Sequence, residues 1–394
     1  MPLVSVIIPT HNRARYAIPT IHAILAISSE IEIVVSDTSD VDQISFEFKN
    51  NSEINRIKFL RPSSFFNVVE NFNYALNEAT GDYLAFIGDD DFISSRIMDV
   101  AKWAIVHDID AIKFTFPALF YWNDFVSSTR WKALANTISI SPFTGKVKRH
   151  DAKQALANAL DNFGGGVYEM PRAYAGMLSR KLATKICIQY GALFGGVSPD
   201  IYSAALISLN ATGCVLIDFP VIVPGASGAS TSGQSANGKH VGSLRDNAHI
   251  GAFKNLVWDD RIPEFYGVET VWSYSLLKAA EKVPSLLSSV NFPKLYVKCL
   301  IFHWQYYSYI KAAIRVRAKE VGWSQLFIDI MSAAISELFR ISSKIRAKFF
   351  FTQSVESFVL DGEIRDTFQA YMALEHYLAG VPNKLMLPAL SQLR

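Results

Sequence analysis

Cysteine is scarce. Cys187, Cys214 and Cys299 are three positions in 394 residues, too few and too scattered for a disulfide framework or a zinc site, which fits a reducing compartment. An excess of one charge is missing too. Lys and Arg total 38 against 36 Asp and Glu, a net of +2, so charge gives no case for a nucleic-acid partner. The eight histidines show no ligand spacing. No apolar run reaches the roughly 18 residues of a spanning helix; the nearest, 299–314, is broken by His303 and Gln305. Residues 3–8 read as a strand rather than the apolar core of a leader, so no secretory signal is expected. What is abundant is apolar material. Half the positions are hydrophobic, enough for a large core and for two regions.

The first ninety residues alternate strands with helices. Leu3 to Ile8, Glu32 to Ser36, Arg56 to Leu60 and Tyr83 to Ile87 read as short apolar strands. Helical spacing runs from Ile18 to Ile27 and from Val68 to Ala79, where Asn67 with Glu70 gives a capping-box signal. This order predicts βαβ units and a mostly parallel sheet, with ligands beyond the carboxyl ends of the strands. Those ends carry Pro9, Thr10, His11, Asn12 and Arg13, then Asp37, then Arg61, then the triplet Asp89-Asp90-Asp91. Three adjacent carboxylates repel one another and nothing in their own segment neutralises them, so they ask for a cation. Their hard oxygens suit Mg²⁺ or Mn²⁺. An acidic turn capping the next helix is the alternative.

Taken together and in order, Ser5 to Arg13, Ile33 to Asp37, the helix bearing Asn71 and Gly81 to Asp91 resemble the nucleotide-sugar half of family 2 glycosyltransferases with the GT-A fold. The resemblance covers about the first hundred residues. It implies an α/β chain with a Rossmann-like, mostly parallel sheet flanked by helices. Residues 1–224 would form the catalytic domain, split into a donor half (1–110) and an acceptor half (111–224). A Gly/Ser loop (225–245) and a helical region (246–394) would follow.

The resemblance also implies roles. Pro9 to Arg13 would line the nucleoside pocket and Asp37 would accept the uracil imide hydrogen. Arg61 and Asn71 would reach the base or the phosphates, unless they are ordinary polar residues. Asp91 with Asp89 would hold Mn²⁺ or Mg²⁺, and Asp89 or Asp90 would touch the ribose or sugar. His240 in the loop would complete the metal shell, as a histidine does in some relatives. The implied partners are a nucleotide-sugar donor, UDP-linked first, and a glycan or lipid-linked glycan acceptor, with no nucleic acid. The implied setting is cytoplasmic, in bacterial surface polysaccharide synthesis such as capsule or O-antigen.

Inverting members use an Asp or Glu base, often in a Glu-Asp pair about a hundred residues after the metal motif. Here that pair is absent, and Asp200 before the apolar run Ile201 to Leu209 stands at the fitting distance. The same position suits an aspartate that only favours a helix dipole. Processive members carry Gln-x-x-Arg-Trp. Arg130-Trp131 has Ser127 in place of that Gln, so a non-processive enzyme is expected.

Further along, Tyr168 to Tyr174 reads as an acceptor wall or a structural loop. From residue 311 to 348 eight basic residues flank the stripe Leu326, Ile330, Ala334, Leu338, Ile341 and Ile345. That pattern suits either peripheral contact with the inner face of an anionic membrane or a bundle packing on itself or a partner. Two other function classes share parts of the pattern. A sugar nucleotidyltransferase would show a Gly-rich phosphate loop after the first strand, where Pro9-Thr10-His11-Asn12 stands. A non-catalytic carbohydrate-binding or scaffold homologue would have no use for the triplet.

Overall fold

In a computed structural model, residues 2–125, 134–228, 241–350, 358–360, 362 and 364–393 are described. Val4–Thr10 (β1) and Ile31–Asp37 (β2) are buried along almost their whole length, as central parallel strands covered on both faces must be. Then come Ile57–Leu60 (β3), Tyr83–Phe86 (β4), Phe92–Ile93 (β5), Ala111–Phe114 (β6), Ala118–Tyr121 (β7), Thr137–Ile140 (β8) and Val147–Arg149 (β9). Met177–Ser179 (β10), Cys214–Ile217 (β11), Ile222–Val223 (β12), Gly225–Ala226 (β13) and Phe358–Leu360 (β14) complete the strands. The main sheet has the order β3-β2-β1-β4-β10-β6-β11-β9. All its neighbours run parallel except at β10, which opposes β4 and β6, and at the edge strand β9. This is the mostly parallel sheet that the sequence pattern leads one to expect.

Two hydrophobic layers sandwich it. Along β1, Val6 and Ile8 face one layer and Ile7 the other, the period-two alternation of a strand. The first layer is built by Ala14–Leu25 (α1), Gln43–Glu47 (α2) with Phe48, and Arg96–Val106 (α4). The second is built by Val68–Glu78 (α3), Ala152–Asp161 (α5), Arg180–Tyr190 (α6) and Pro199–Asn210 (α7). Helix α3 starts where expected. The Asn67 side chain accepts from the Val69 and Glu70 amides at 3.0 and 3.1 Å, and Glu70 accepts from the Asn67 amide at 2.8 Å. Such caps contribute about 1 kcal/mol each.

The carboxyl-terminal part differs from the expected separate helical region. Helices Val268–Ala280 and Phe292–Phe302 join the same core as α7. Residues 358–393 then return to the opposite layer. There β14 pairs with β8, and helix Thr367–Gly380 buries Ala370, Tyr371 and Leu374 beside α1 and α4. Glu375 anchors this return by accepting from the Ser95 amide and hydroxyl, both at 2.7 Å. The expected loop also begins as strand, because Gly225 and Ala226 pair with β7. Apolar periodicity shows that a face is buried but not which element buries it, so these returns were not readable from the pattern.

Candidate active site

Parallel pairing brings the expected residues to one edge. Thr10 pairs with Asp37 in register, and β4 lies on the other side of β1, so the ends of three strands meet. The chain leaves β1 through a tight turn in which Asn12 takes φ +54°, a left-handed conformation that asparagine tolerates. The turn aims Arg13 at the triplet. Arg13 Nε lies 2.6 Å from Asp89 Oδ1, and Arg13 Nη2 lies 2.8 Å from Asp90 Oδ2. Thr10 donates to Asp89 Oδ2 at 2.6 Å and Ser227 to Asp90 Oδ2 at 2.6 Å. The cation that the triplet asks for is therefore supplied in part by the protein, from a turn some 76 residues earlier in the chain.

Asp91 has no such partner among the described residues. Its oxygens accept from the Gly88 amide at 2.7 Å, the Gly225 amide at 2.8 Å and the Tyr174 hydroxyl at 3.3 Å. All three carboxylates are buried. Burial first, and then the charge of Asp90, pushes the Asp91 carboxyl up to about 7. Asp89 is pushed up to about 6 by burial, although the Arg13 charge opposes this. Burial disfavours the charged form of Arg13, but the charges of Asp89 and Asp90 outweigh it and hold the guanidinium more firmly protonated. Tyr174 is held well above its ordinary value by burial and by the charges of Asp91, Asp90, Asp89 and Asp200, so it stays a donor.

The backbone of the triplet is fixed from below. Thr20 of α1 donates to, and sits between, the carbonyls of Asp89 and Asp91 at 2.9 and 3.0 Å, and the Trp122 indole donates to the Asp90 carbonyl at 2.9 Å. Gly225 has to be glycine, because a Cβ there would lie 1.8 Å from the Asp90 carbonyl oxygen.

The donor chemistry fits a divalent cation. One guanidinium faces three buried carboxylates, and a carboxylate with about four acceptor sites still keeps lone pairs free for an ion after two or three hydrogen bonds. Among the described residues no three His, Cys, Asp or Glu side chains converge to hold a metal by themselves. An ion here would take part of its shell from a bound ligand, as Mg²⁺ commonly does with substrate phosphates. His240 lies outside the described residues, as do Arg130, Trp131 and Ser127.

The other expected residues divide. Asp37 is buried, with Arg61 Nη1 2.6 Å from Oδ2 and the Ser39 amide 2.9 Å from Oδ1. His11 stands exposed, its Nδ1 3.1 Å from Thr38 Oγ1, and Pro9 is a partly buried strand residue. Asn71 departs from expectation. It is buried, accepting from the Ser36 hydroxyl at 2.6 Å and donating to the Ser36 carbonyl at 3.1 Å, so its amide ties α3 to β2 instead of facing a ligand. Asp200 sits in the first turn of α7, accepts from Ser198 at 2.7 Å and has Arg172 at 3.8 Å. Its charge is the weakest of those that raise Tyr174. Ser227, Gly225, Thr20 and Trp122 carried no motif, and only the fold brings them in. Tyr174 was visible as part of an aromatic loop but not as a partner of Asp91.

Residues 5–162 match the family model described as glycosyl transferase family 2. No curated protein matches the chain. Among solved structures, S. aureus TarS 1–349 in complex with UDP-GlcNAc is 14% identical, with 87% of this chain and 92% of that chain covered at a TM-score of 0.43. The longer S. aureus TarS structure is 16% identical, with 79% and 55% covered at 0.44. Mannosyltransferase PcManGT from Pyrobaculum calidifontis, in complex with GDP-Man and Mn²⁺, is 15% identical, with 86% and 88% covered at 0.37.

Proposed function

We propose, from the match of residues 5–162 to the glycosyl transferase family 2 model, that this chain is a glycosyltransferase that moves a sugar from a nucleoside diphosphate donor to a hydroxyl of a glycan or lipid-linked glycan. The supporting observation is the meeting of Asp37, Arg13 and the aspartate triplet at one sheet edge. UDP is the favoured nucleotide. Asp37, anchored by Arg61, is suited to accept the imide hydrogen of uracil, and His11 and Asn12, which meet each other beside it in the turn after β1, would line the nucleoside pocket. Asp89 and Asp90, pinned by Arg13, would orient the ribose or sugar hydroxyls.

Asp91, with Asp89, would hold Mn²⁺ or Mg²⁺, and such an ion stabilises a departing diphosphate as a Lewis acid. Arg13 adds a fixed positive charge at the same place, at no reorganisation cost. Tyr174 keeps Asp91 oriented from the acceptor side. Asp200 is the base proposed to take the proton from the attacking hydroxyl. The Ser198 hydroxyl and Arg172 hold it ready and the start of α7 favours its charged form. A single displacement with one base inverts the anomeric centre, and the proposed role lies in surface polysaccharide synthesis.

The test is a panel of UDP-, GDP- and CMP-sugars, each with Mn²⁺, read by thermal stabilisation and by slow release of the nucleoside diphosphate. Stabilisation and hydrolysis with a UDP-sugar are expected. A panel in which no nucleotide sugar raises the melting temperature overturns the reading.

A further inference from the structure

The long helix Trp323–Phe350 packs by one face only. Leu326, Ala333 and Glu337 are buried on that face, towards helix Phe292–Phe302. The opposite face is apolar and bare. Phe327, Ile328, Met331, Ile335, Leu338 and Phe339 are each between 47% and 69% exposed. At about 100° per residue they fall within one sector of the helix, roughly a third of its circumference. The stripe suggested by the sequence is therefore split, with Leu326 turned inward and Leu338 outward. Bare apolar surface on this scale is unusual in a soluble protein and marks an interface.

Charge and aromatic residues decide which kind. Residues 301–350 hold eight Lys and Arg against three Asp and Glu, a net of +5, so the remaining residues sum to 2 − 5 = −3. On the neighbouring helix Tyr307–Val321, Lys311, Arg315 and Lys319 recur every four residues along an exposed row. Together with Lys344 and Arg346 they make no ion pair among the described residues, whereas Arg317 and Arg340 are paired. Trp304 and Trp323 stand exposed at the ends of these helices, as side chains with an apolar body and a polar tip do at a bilayer surface. No described helix is long and apolar enough to cross a membrane, so the face would lie on a bilayer.

We propose that this face docks on an anionic lipid surface, the apolar sector entering the headgroup boundary while Lys311, Arg315, Lys319 and Arg346 meet lipid phosphates. The proposal is independent of the reading of the active site. Unpaired cations beside an apolar sector complement anionic lipid, whereas a second copy would bring the same positive row against itself.

The test is flotation of the full chain with vesicles of phosphatidylcholine alone, or with phosphatidylglycerol as a third of the lipid. Binding to the anionic vesicles, weakened by salt, and little binding to the neutral ones is expected. Replacing Ile335 and Leu338 by Glu should abolish flotation, and Arg315→Gln with Arg346→Gln should weaken it on the order of tenfold or more. Circular dichroism and the melting temperature are the folding controls. The exposed Gln pair serves as the second test should the Glu pair not fold. Failure of the parent to float with anionic vesicles overturns the proposal. So does equal flotation of a folded variant, or a dimer in solution that the Glu pair dissociates while the parent ignores lipid.

Discussion

Replacing Arg13 by Leu isolates the electrostatic premise of the site. The guanidinium lies 2.6 Å from Asp89 and 2.8 Å from Asp90, and both carboxylates are about 5% exposed. Its removal leaves buried anions beside Asp91 with no protein cation. Breaking one side of a buried pair costs about 3–5 kcal/mol. In a chain of this size that is a fall in melting temperature on the order of 5–10 °C. The sign with pH follows from the same carboxylates. Without Arg13 the folded-state pKa of Asp89 rises further above the ordinary 3.8. Proton uptake there then favours the folded form at low pH, and that help is lost as pH rises through the raised value. The deficit should therefore be larger near pH 8 than near pH 5.5. Adding Asp90→Asn to the Leu variant should restore part of the loss, and Arg13→Lys should cost less than Leu. Differential scanning calorimetry at both pH values checks this. A Leu variant that melts with the parent at both would refute the assigned charge balance.

Three further outcomes follow. Asp200→Asn should retain donor affinity and folding but reduce transfer by roughly 10²-fold or more, and NMR of the product should show an inverted anomeric centre. Retention, or near-normal turnover in the variant, removes Asp200 from the role of base. The ligand-free protein should lose stability as pH rises towards and past about 7, where Asp91 ionises in the folded state. Asp91→Asn should flatten that loss when the two proteins are melted side by side. Gly225→Ala should destabilise the fold by several kcal/mol, because its Cβ would meet the Asp90 carbonyl oxygen at 1.8 Å; denaturant unfolding checks it.

Much of the donor half was legible because its signals are local. Continuous apolar strands, a capping box at Asn67 and polar residues following each strand together fix a parallel sheet and the edge where ligands meet. The triplet's demand for positive charge was legible as well, though not that Arg13 meets part of it. That pairing depends on a left-handed turn at Asn12 and on which strands are neighbours. Asn71 misled for a related reason. A polar residue early in a helix looks available, and only the packing of α3 on β2 shows that Ser36 uses both ends of its amide. Gly225 and Ser227 lie in a Gly- and Ser-rich stretch that reads as a linker, yet β13 pairing puts them against the triplet. The return of residues 358–393 was invisible because an amphipathic helix does not name its partner.

The central claim, that Asp37 and the triplet form a metal-assisted nucleotide-sugar site, is tested most directly by titrating UDP into the parent and into Asp91→Ala, each with and without Mn²⁺, by calorimetry. The account expects tight UDP binding only by the parent with Mn²⁺, and loss of that gain in a variant that still folds. Equal binding by the folded variant with Mn²⁺, or no UDP binding by the parent under any condition, would contradict it.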